Sequence, residues 1–365
     1  TRGEYAVFAS LNRKWTIGVL TVTMSIVTLA TGRAQDMGAD TASIYRSVEM
    51  EAIGVSGRRA TTARSLTSQT PVFNRSTESV APLQTLESAL RLSPAVDIRE
   101  RGGKGVQTDI SIRGGSFDQT MVTLNGINFT DARTGHQSHS LPIDINAVSA
   151  INVIDGVSGV GAYAGAVDIR TAPLHPRYIS AELTGGAHGY MYGSLAGGYT
   201  TDRMTLMVTG SARHSDGYTH NTDFSNYNAY ARMTYDSRWG LFDAQAGYQN
   251  RAFGANGFYS RSYPDQYEQT STALASLRWL RQGRRLMVTA NASYRRNTDR
   301  YELIKGDESK VPFNYHITDN AGAEIGLAYD WIGGETSIGA DVIYNHIYST
   351  VLGDPCEPKR IGGID

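Results

Sequence analysis

Cysteine is nearly absent from this chain: Cys356 is the only one in 365 residues. A single thiol cannot close an internal disulfide, so no disulfide framework supports the fold. Net charge is almost missing too, at -1 from 34 basic and 35 acidic residues. A chain with no cationic excess is a poor match for a polyanion, which argues against nucleic acid as a partner. Past the N-terminal region no apolar run is long enough to cross a membrane as a helix. Catalytic patterns are lacking as well. No Ser/His/Asp or Cys/His arrangement has supporting local context, and no nucleophile elbow is present, so the sequence predicts no enzyme. The glycine cluster from Gly156 to Gly161 lacks the following helix of a dinucleotide fingerprint and reads as a turn. His136 and His139 are three apart, but Gly135 and Ser138 make the segment a loop, and no acidic or cysteine partner is near. No cofactor and no metal site is expected.

What the chain does have is glycine (39), tyrosine (21) and alternation. In Arg203–Arg213, the residues Met204, Leu206, Val208, Gly210 and Ala212 fall on one side, and Arg203, Thr205, Thr209, Ser211 and Arg213 on the other. Arg285–Arg296 repeats this, with Leu286, Val288, Ala290, Ala292 and Tyr294 against Arg285, Thr289, Asn291, Ser293 and Arg295. A two-residue period held for about ten residues is a strand with one apolar and one polar face, long enough to span a bilayer when tilted. Comparable segments are predicted at 178–184, 190–199, 203–213, 227–236, 241–250, 270–280, 285–296, 317–330 and 336–347. Their connections alternate. Those at 200–202, 237–240, 281–284 and 331–335 are short, and polar, aromatic-rich loops fill 214–226, 251–269 and 297–316. Short–long alternation is what an up-and-down membrane barrel gives when its two rims face different compartments.

The N-terminal part reads differently. Arg13 and Lys14 precede an apolar stretch from Trp15 to Ala30 and the small residues up to Ala34, the pattern of a secretory signal cleaved near Ala34; a short membrane anchor is the alternative. Residues 35–47 are poor in large apolar side chains and read as a flexible arm. From 48 to 176 the chain reads as a mixed α/β globular zone. Leu83, Leu86, Ala89, Leu90 and Leu92 have helical spacing and Pro94 ends the helix. Short strands are predicted at Asp109–Arg113, Met121–Leu124, Ala150–Ile154 and Ala166–Arg170.

Four motifs in this zone carry a family resemblance. Leu86–Val96 looks like the first helix and turn of the plug of a TonB-dependent outer-membrane receptor. Ile110-Ser111-Ile112-Arg113-Gly114-Gly115 is similar to that family's "IRG" strand and turn, and Val122-Thr123-Leu124-Asn125-Gly126-Ile127 to its "LDGV" hairpin. Ile151–Gly156 followed by Gly165–Ile169 resembles the last plug strands. The barrel loops, with Phe258-Tyr259-Ser260 and Tyr263–Glu268, resemble cobalamin-receptor-like members of Bacteroidota. Two features depart from the family pattern: Val157 stands where a proline is usual, and the turn Ser158–Ala162 is about four residues short.

The resemblance implies a mixed α/β plug domain followed by antiparallel transmembrane β-barrel strands, nine of about 22 in the plugged-lumen class. An open nine-stranded sheet in hydrocarbon would leave edge groups unpaired at a cost on the order of tens of kcal/mol, beyond the ~5–15 kcal/mol of a typical domain, so an incomplete sequence of a longer receptor is expected. Partners implied are the TonB periplasmic domain, outer-membrane lipid, and a scarce large nutrient, a corrinoid in preference to a ferric siderophore. The location implied is the outer membrane of a Gram-negative bacterium. TonB engages such receptors by strand addition to a short N-terminal box, and Val48, Glu49, Met50, Glu51, Ala52, Ile53, Gly54 and Val55 are the candidate, with the first edge strand of the plug as the other reading. Arg113, Gly114, Gly115, Asn125 and Gly126 are the plug motif. Tyr218, Tyr259, Arg261, Tyr263, Asp265 and Tyr267 are the candidate ligand contacts, aromatic and hydrogen-bonding groups on the outer loops. A non-energised surface receptor or adhesin is the alternative function. A passive porin conflicts with the globular zone placed before the strands.

Overall fold

The computed structural model describes residues 69–75, 85–103, 106–131, 140–155, 163–332, 334–351 and 361–364. The expected signal, arm and TonB box, the His136/His139 pair, the short turn Ser158–Ala162 and Cys356 lie outside the described residues.

Two regions of different character follow one another along the chain. The first region holds a five-stranded mixed sheet in the order β1-β6-β7-β4-β5 and a two-stranded β2–β3 hairpin. Its strands are β1 (Gln69–Asn74), β2 (Val96–Arg101), β3 (Gln107–Ile112), β4 (Thr120–Leu124), β5 (Ile127–Asn128), β6 (Val148–Asp155) and β7 (Gly165–Thr171). The pair β4–β7 is parallel and the rest are antiparallel. Ile110, Ile112, Val122, Leu124, Ile151, Val153, Val167 and Ile169 are each at most 2% exposed and form the core of this domain. Burial at ~1.5–3 kcal/mol per large apolar side chain is what holds so small a sheet together.

The predicted helix is present but shorter than expected. The helix α1 covers only Leu86–Leu90. Thr85 caps it, accepting from the Ser88 amide at 3.1 Å while the Ser88 hydroxyl accepts from the Thr85 amide at 3.1 Å. The chain leaves the helix at Arg91, before Ser93, whose position ahead of Pro94 disfavours helical geometry. Leu92 is therefore 49% exposed and outside the helical core, while Ala89 and Leu90 are fully buried.

The second region is an antiparallel meander in strict sequence order: β8 (Arg177–Gly185), β9 (Met191–Thr200), β10 (Met204–Ser215), β11 (Phe224–Ser237), β12 (Gly240–Gly254), β13 (Tyr267–Gln282), β14 (Leu286–Glu302), β15 (Asn314–Trp331), β16 (Gly334–Ser349) and the short β17 (Ile361–Ile364). All nine predicted strands are there, and β17 adds a pairing to β16 that was not expected. The long loops are shorter than predicted, contracting from 214–226, 251–269 and 297–316 to 216–223, 255–266 and 303–313. Apolar alternation marks only the stretch of strand that meets lipid. Backbone pairing continues beyond it through polar rows such as Asn226↔Arg251↔Thr270↔Asp299, which have no apolar face to announce them.

The faces are sorted as the alternation requires. Ile179, Leu183, Leu195, Val208, Leu277, Ile325, Ile338 and Val342 point away from the first domain and are 50–89% exposed. Exposed aromatic residues border this band: Tyr199, Tyr235, Trp239, Tyr329 and Trp331 on the short-turn side, and Tyr227, Tyr248, Tyr294 and Tyr344 towards the long loops. On β11 the two borders, Tyr235 and Tyr227, are eight residues apart, about 27 Å along the strand and roughly 20 Å across a bilayer once tilted. The opposite face is mostly polar and buried against the first domain: Thr209, Arg213, Gln245, Gln249, Thr272, Arg278 and Arg295 are all under 9% exposed, with Met207, Tyr230 and Leu274 as its buried apolar members. A wall with its greasy face outside and its polar face on a packed domain is the inverse of a soluble sandwich.

Candidate functional site

The contact between the small domain and the wall is built around the β4–β5 turn. Asn125 and Gly126 both have positive φ, 53° and 76°, the two-residue turn that suits tight hairpins. The turn aims the Asn125 side chain into the wall, where the residue is 1% exposed. Its Nδ2 donates to Gln245 Oε1 at 2.8 Å, Thr171 Oγ1 at 2.9 Å and Tyr230 OH at 3.0 Å. Its Oδ1 accepts from the Thr171 amide at 2.9 Å and from Arg232 Nη1 at 2.9 Å. Arg232 is held from behind by a bidentate pair with Asp243, Nε to Oδ1 at 2.9 Å and Nη2 to Oδ2 at 2.8 Å, and Nη1 also donates to the Thr171 carbonyl at 2.5 Å. Tyr230 and Gln245 close the network with a bond of 2.8 Å. Each such bond to a charged group contributes about 1.5–3 kcal/mol, and a bidentate fork fixes direction as well.

Similar stitches run across the rest of the interface. Arg251 donates to the Val106 carbonyl, to Ser140 Oγ and, at 2.8 Å, to Gln249 Oε1. Arg295 donates to the Phe129 carbonyl at 2.6 Å and faces Asp131 at 3.7 Å, while Thr318 donates to the same Asp131 carboxylate at 2.9 Å. Asn146 reaches Ser194 Oγ at 2.9 Å, and the Tyr192 hydroxyl donates to Asp144 at 2.8 Å. On the domain side, Arg75 donates to the Ile145 and Asn146 carbonyls at 2.5 and 2.8 Å, and burial lowers its affinity for a proton. A cavity of about 40 Å³ lies between α1, the 140–145 segment and β10–β12, polar in its lining and large enough for roughly two to three waters. At Gly247 the domain leans directly on the wall: a Cβ there would lie 2.7 Å from Pro142 Cγ.

The β2–β3 hairpin points towards the long-loop rim. Its tip is gripped by Phe224, Phe253 and Phe258, which cluster with Val106 and Ala255. Gly102 and Gly103 leave the space for these rings, since a Cβ would fall 2.7 Å from Phe258 Cζ and 2.4 Å from Phe224 Cε1. Behind the tip the Tyr259 hydroxyl donates to Glu268 at 2.5 Å and lies 3.5 Å from Gln107 Oε1. Burial of that hydroxyl, with the Glu268 carboxylate beside it, pushes the Tyr259 pKa well above the usual phenol value.

The six candidate ligand contacts therefore separate. Tyr218 is 70% exposed and Tyr263 45% exposed, and Arg261 is exposed with them on the rim. The ring of Tyr259 is partly open, but its hydroxyl is committed inward. Asp265 is taken by His220 at 2.6 Å. Tyr267 is not a loop residue: it opens β13, paired with Gly254 and Glu302, with Lys305 Nζ 5.2 Å from its ring centre. Between His220, Asp223, Asp265, Lys305, Asp307 and Lys310 lies an open bowl of about 510 Å³. Of the plug motif, Asn125 and Gly126 belong to the wall contact, whereas Arg113 (φ 50°) and Gly114 (φ 78°) form the turn after β3, at the opposite end of the strand from the aromatic grip. Sequence reasoning missed the wall residues Arg232, Asp243, Gln245, Arg251 and Arg295. Their signal was a charged or amide side chain on the polar side of an alternating strand, which looks the same as a solvated face. Among the described residues, no group of three His, Cys, Asp or Glu side chains is placed to hold a metal ion.

Comparison with known proteins identifies the small domain. Residues 62–167 match the family model of the TonB-dependent receptor plug domain. No curated protein sequence matches the chain. Among solved structures, the unliganded ferric citrate transporter FecA superposes with a TM-score of 0.61 at 15% identity, covering 82% of this chain and 51% of that one. The pyoverdine outer-membrane receptor FpvA of Pseudomonas aeruginosa PAO1, bound to pyoverdine, gives 0.60 at 15% identity, with 81% and 51% covered. The siderophore receptor PiuA of Acinetobacter baumannii gives 0.59 at 13% identity, with 80% and 48% covered. The chain spans about half the length of these structures. At such identities the likeness is one of fold: a plug domain followed by antiparallel strands of a receptor barrel.

Proposed function

We propose that the chain carries the plug and a run of wall strands of a TonB-dependent outer-membrane receptor, which imports a scarce, large nutrient. The observation that supports this best is the seating of the plug. A domain built on its own sheet fills the mainly polar face of a lipid-facing wall; Met207, Tyr230 and Leu274 of the wall pack on its core, and the rest of the contact is made by hydrogen bonds and ion pairs that break and re-form at modest cost.

In this reading the cargo meets the outer rim, where Tyr218, Tyr263 and Arg261 are open and the bowl beside Asp223 and Lys305 faces outward. The aromatic grip on the plug tip, the Arg101 donation to the Phe258 carbonyl at 3.4 Å and the Tyr259 hydroxyl 3.5 Å from Gln107 link the 255–268 segment to the β2–β3 hairpin, a route by which occupancy outside reaches the plug. TonB then engages the arm, with residues 48–55 as the candidate box, and force on the arm draws the plug from the wall. Energy enters through the partner, so the chain needs no nucleotide site. The loop resemblance favours a corrinoid as cargo; the names of the structural neighbours, a ferric citrate transporter and siderophore receptors, favour a ferric chelate. After export and cleavage of the signal near Ala34, the protein would reside in the outer membrane of a Gram-negative cell.

Deleting residues 46–56 from the receptor tests this against the surface-receptor alternative. The expected result is loss of uptake of the radiolabelled ligand with surface binding retained. Uptake that survives the deletion refutes energised import.

A further inference from the structure

We infer that the wall carries a ladder of arginines for an anionic cargo. This rests on the import reading above and adds the charge class of what passes. Strand register fixes the rungs. Arg213 aligns through Asn226 with Arg251. Arg295 aligns through Leu274 with Gly247, Arg232 with Gln245, and Arg278 with Asp243. On β12 these are levels 251, 247, 245 and 243, so the rungs descend about 27 Å along the strand, at intervals of about 7–14 Å. Between the rims of β10–β14, the plug-facing arginines Arg213, Arg232, Arg251, Arg278 and Arg295 outnumber the carboxylates Asp243, Glu268 and Asp299.

Three of the rungs are capped by the plug backbone. Arg251 donates to the carbonyl of Val106, Arg295 to that of Phe129 and Arg232 to that of Thr171. A neutral carbonyl is a weak substitute for the planar oxyanion that a guanidinium fork fits. The lowest rung has less. Arg278 is 7% exposed, and its Nε and Nη2 have no hydrogen-bond partner among the described residues. Its charged neighbours are Asp243, Arg170, Arg232 and Glu324. Asp243 is already engaged by Arg232, Glu324 accepts from Asn291 at 2.9 Å, and the other two repel it. A buried, under-partnered cation is costly in the plugged state. Its use lies in the other state: when the plug parts from the wall, the carbonyl caps leave with it, and successive guanidinium groups face the opening, Arg232 with its Nη1 edge because Asp243 keeps its fork. The cargo they suit bears several carboxylate- or phosphate-type oxygens, as an anionic chelate does, and a neutral corrinoid does not.

The test needs no knowledge of the ligand. The complete receptor is placed in a planar bilayer, urea is added to loosen the plug, and the reversal potential is read under a tenfold KCl gradient, with chloride and potassium as the probes. The expected result is a chloride-to-potassium permeability ratio above one, falling at least threefold in the double variant R251Q/R278Q and kept by R251K/R278K. Heat-modified migration on gels confirms that each variant has folded. A cation-selective opening, an unchanged ratio in R251Q/R278Q, or no opening at all overturns the ladder. Failure of the import reading shows separately, as uptake that survives deletion of the arm.

Discussion

Replacing Asn125 probes the junction of plug and wall, and two substitutions separate its two roles. Asn125→Gly keeps the backbone free to hold φ 53° but removes the side chain. The Thr171 amide, Arg232 Nη1 and the Tyr230 and Gln245 side chains then lose a partner at a site that is 1% exposed. Leaving buried donors or acceptors unpaired costs about 1–3 kcal/mol each when nothing relaxes. Arg232 retains Asp243, and Tyr230 retains Gln245, so a net loss of roughly 2–4 kcal/mol is expected rather than the full sum. Asn125→Ala adds the cost of a β-carbon in the left-handed region, about 1–2 kcal/mol more. With a urea dependence of about 2 kcal/mol per molar, Asn125→Gly should lower the midpoint of plug release by about 1–2 M. The assay is limited proteolysis of the detergent-solubilised protein across a urea series, reading cleavage within residues 120–171. A Gly variant within 0.3 M of the parent would show that the network does not fasten the plug. An Ala variant no worse than Gly would show that the turn carries no conformational constraint.

Other perturbations follow from the same geometry. Ile151→Ala empties a fully buried position in the plug core and should cost about 2–5 kcal/mol, read as a lower urea midpoint for the plug. Gly247→Val drives a side chain against Pro142 and should cost about 1–3 kcal/mol of plug docking, visible as faster amide exchange over 140–146. Val208→Arg places a charge on the outward face at mid-wall, for which about 2–4 kcal/mol and a sharp fall in folded yield in vesicles are expected. The raised pKa of Tyr259 favours its neutral form in the folded state. That contribution is complete below the ordinary phenol value near 10 and is lost as pH rises above it, so Tyr259→Phe should flatten the decline of plug stability between about pH 9 and 11.

The wall was legible because its constraint is simple: lipid on one side imposes a two-residue period that few other environments impose. Where that constraint ends, so did the legibility. The upper parts of β12–β14 carry Arg251, Thr270 and Asp299 inward, and Asn250, Ser271 and Thr298 outward, so both faces are polar and pairing alone makes the strand. In the plug, β1 was missed because Pro71 sits at the irregularity in its pairing with β6, and β2 because Asp97, Arg99, Glu100 and Arg101 mask its alternation. The turn at Asn125-Gly126 could be read from its residues, but not that it inserts into the wall. The arginines opposite it were invisible for a deeper reason. A polar strand face normally meets water, and only a second domain packed on that face turns Arg232, Arg251 and Arg295 into contacts. Tyr267 was misplaced by the same error that lengthened the loops.

Tethering the plug to the wall tests the central claim most directly. Ser140 Oγ and Thr272 Oγ1 lie 3.3 Å apart across the interface, so Ser140→Cys with Thr272→Cys, in a background where Cys356→Ser removes the natural thiol, can bridge plug and β13. Uptake of radiolabelled ligand by cells carrying the complete receptor should stop when the bridge is oxidised and return on reduction, with surface binding unchanged throughout. Undiminished uptake through the oxidised receptor would contradict an import path that opens by parting the plug from this wall.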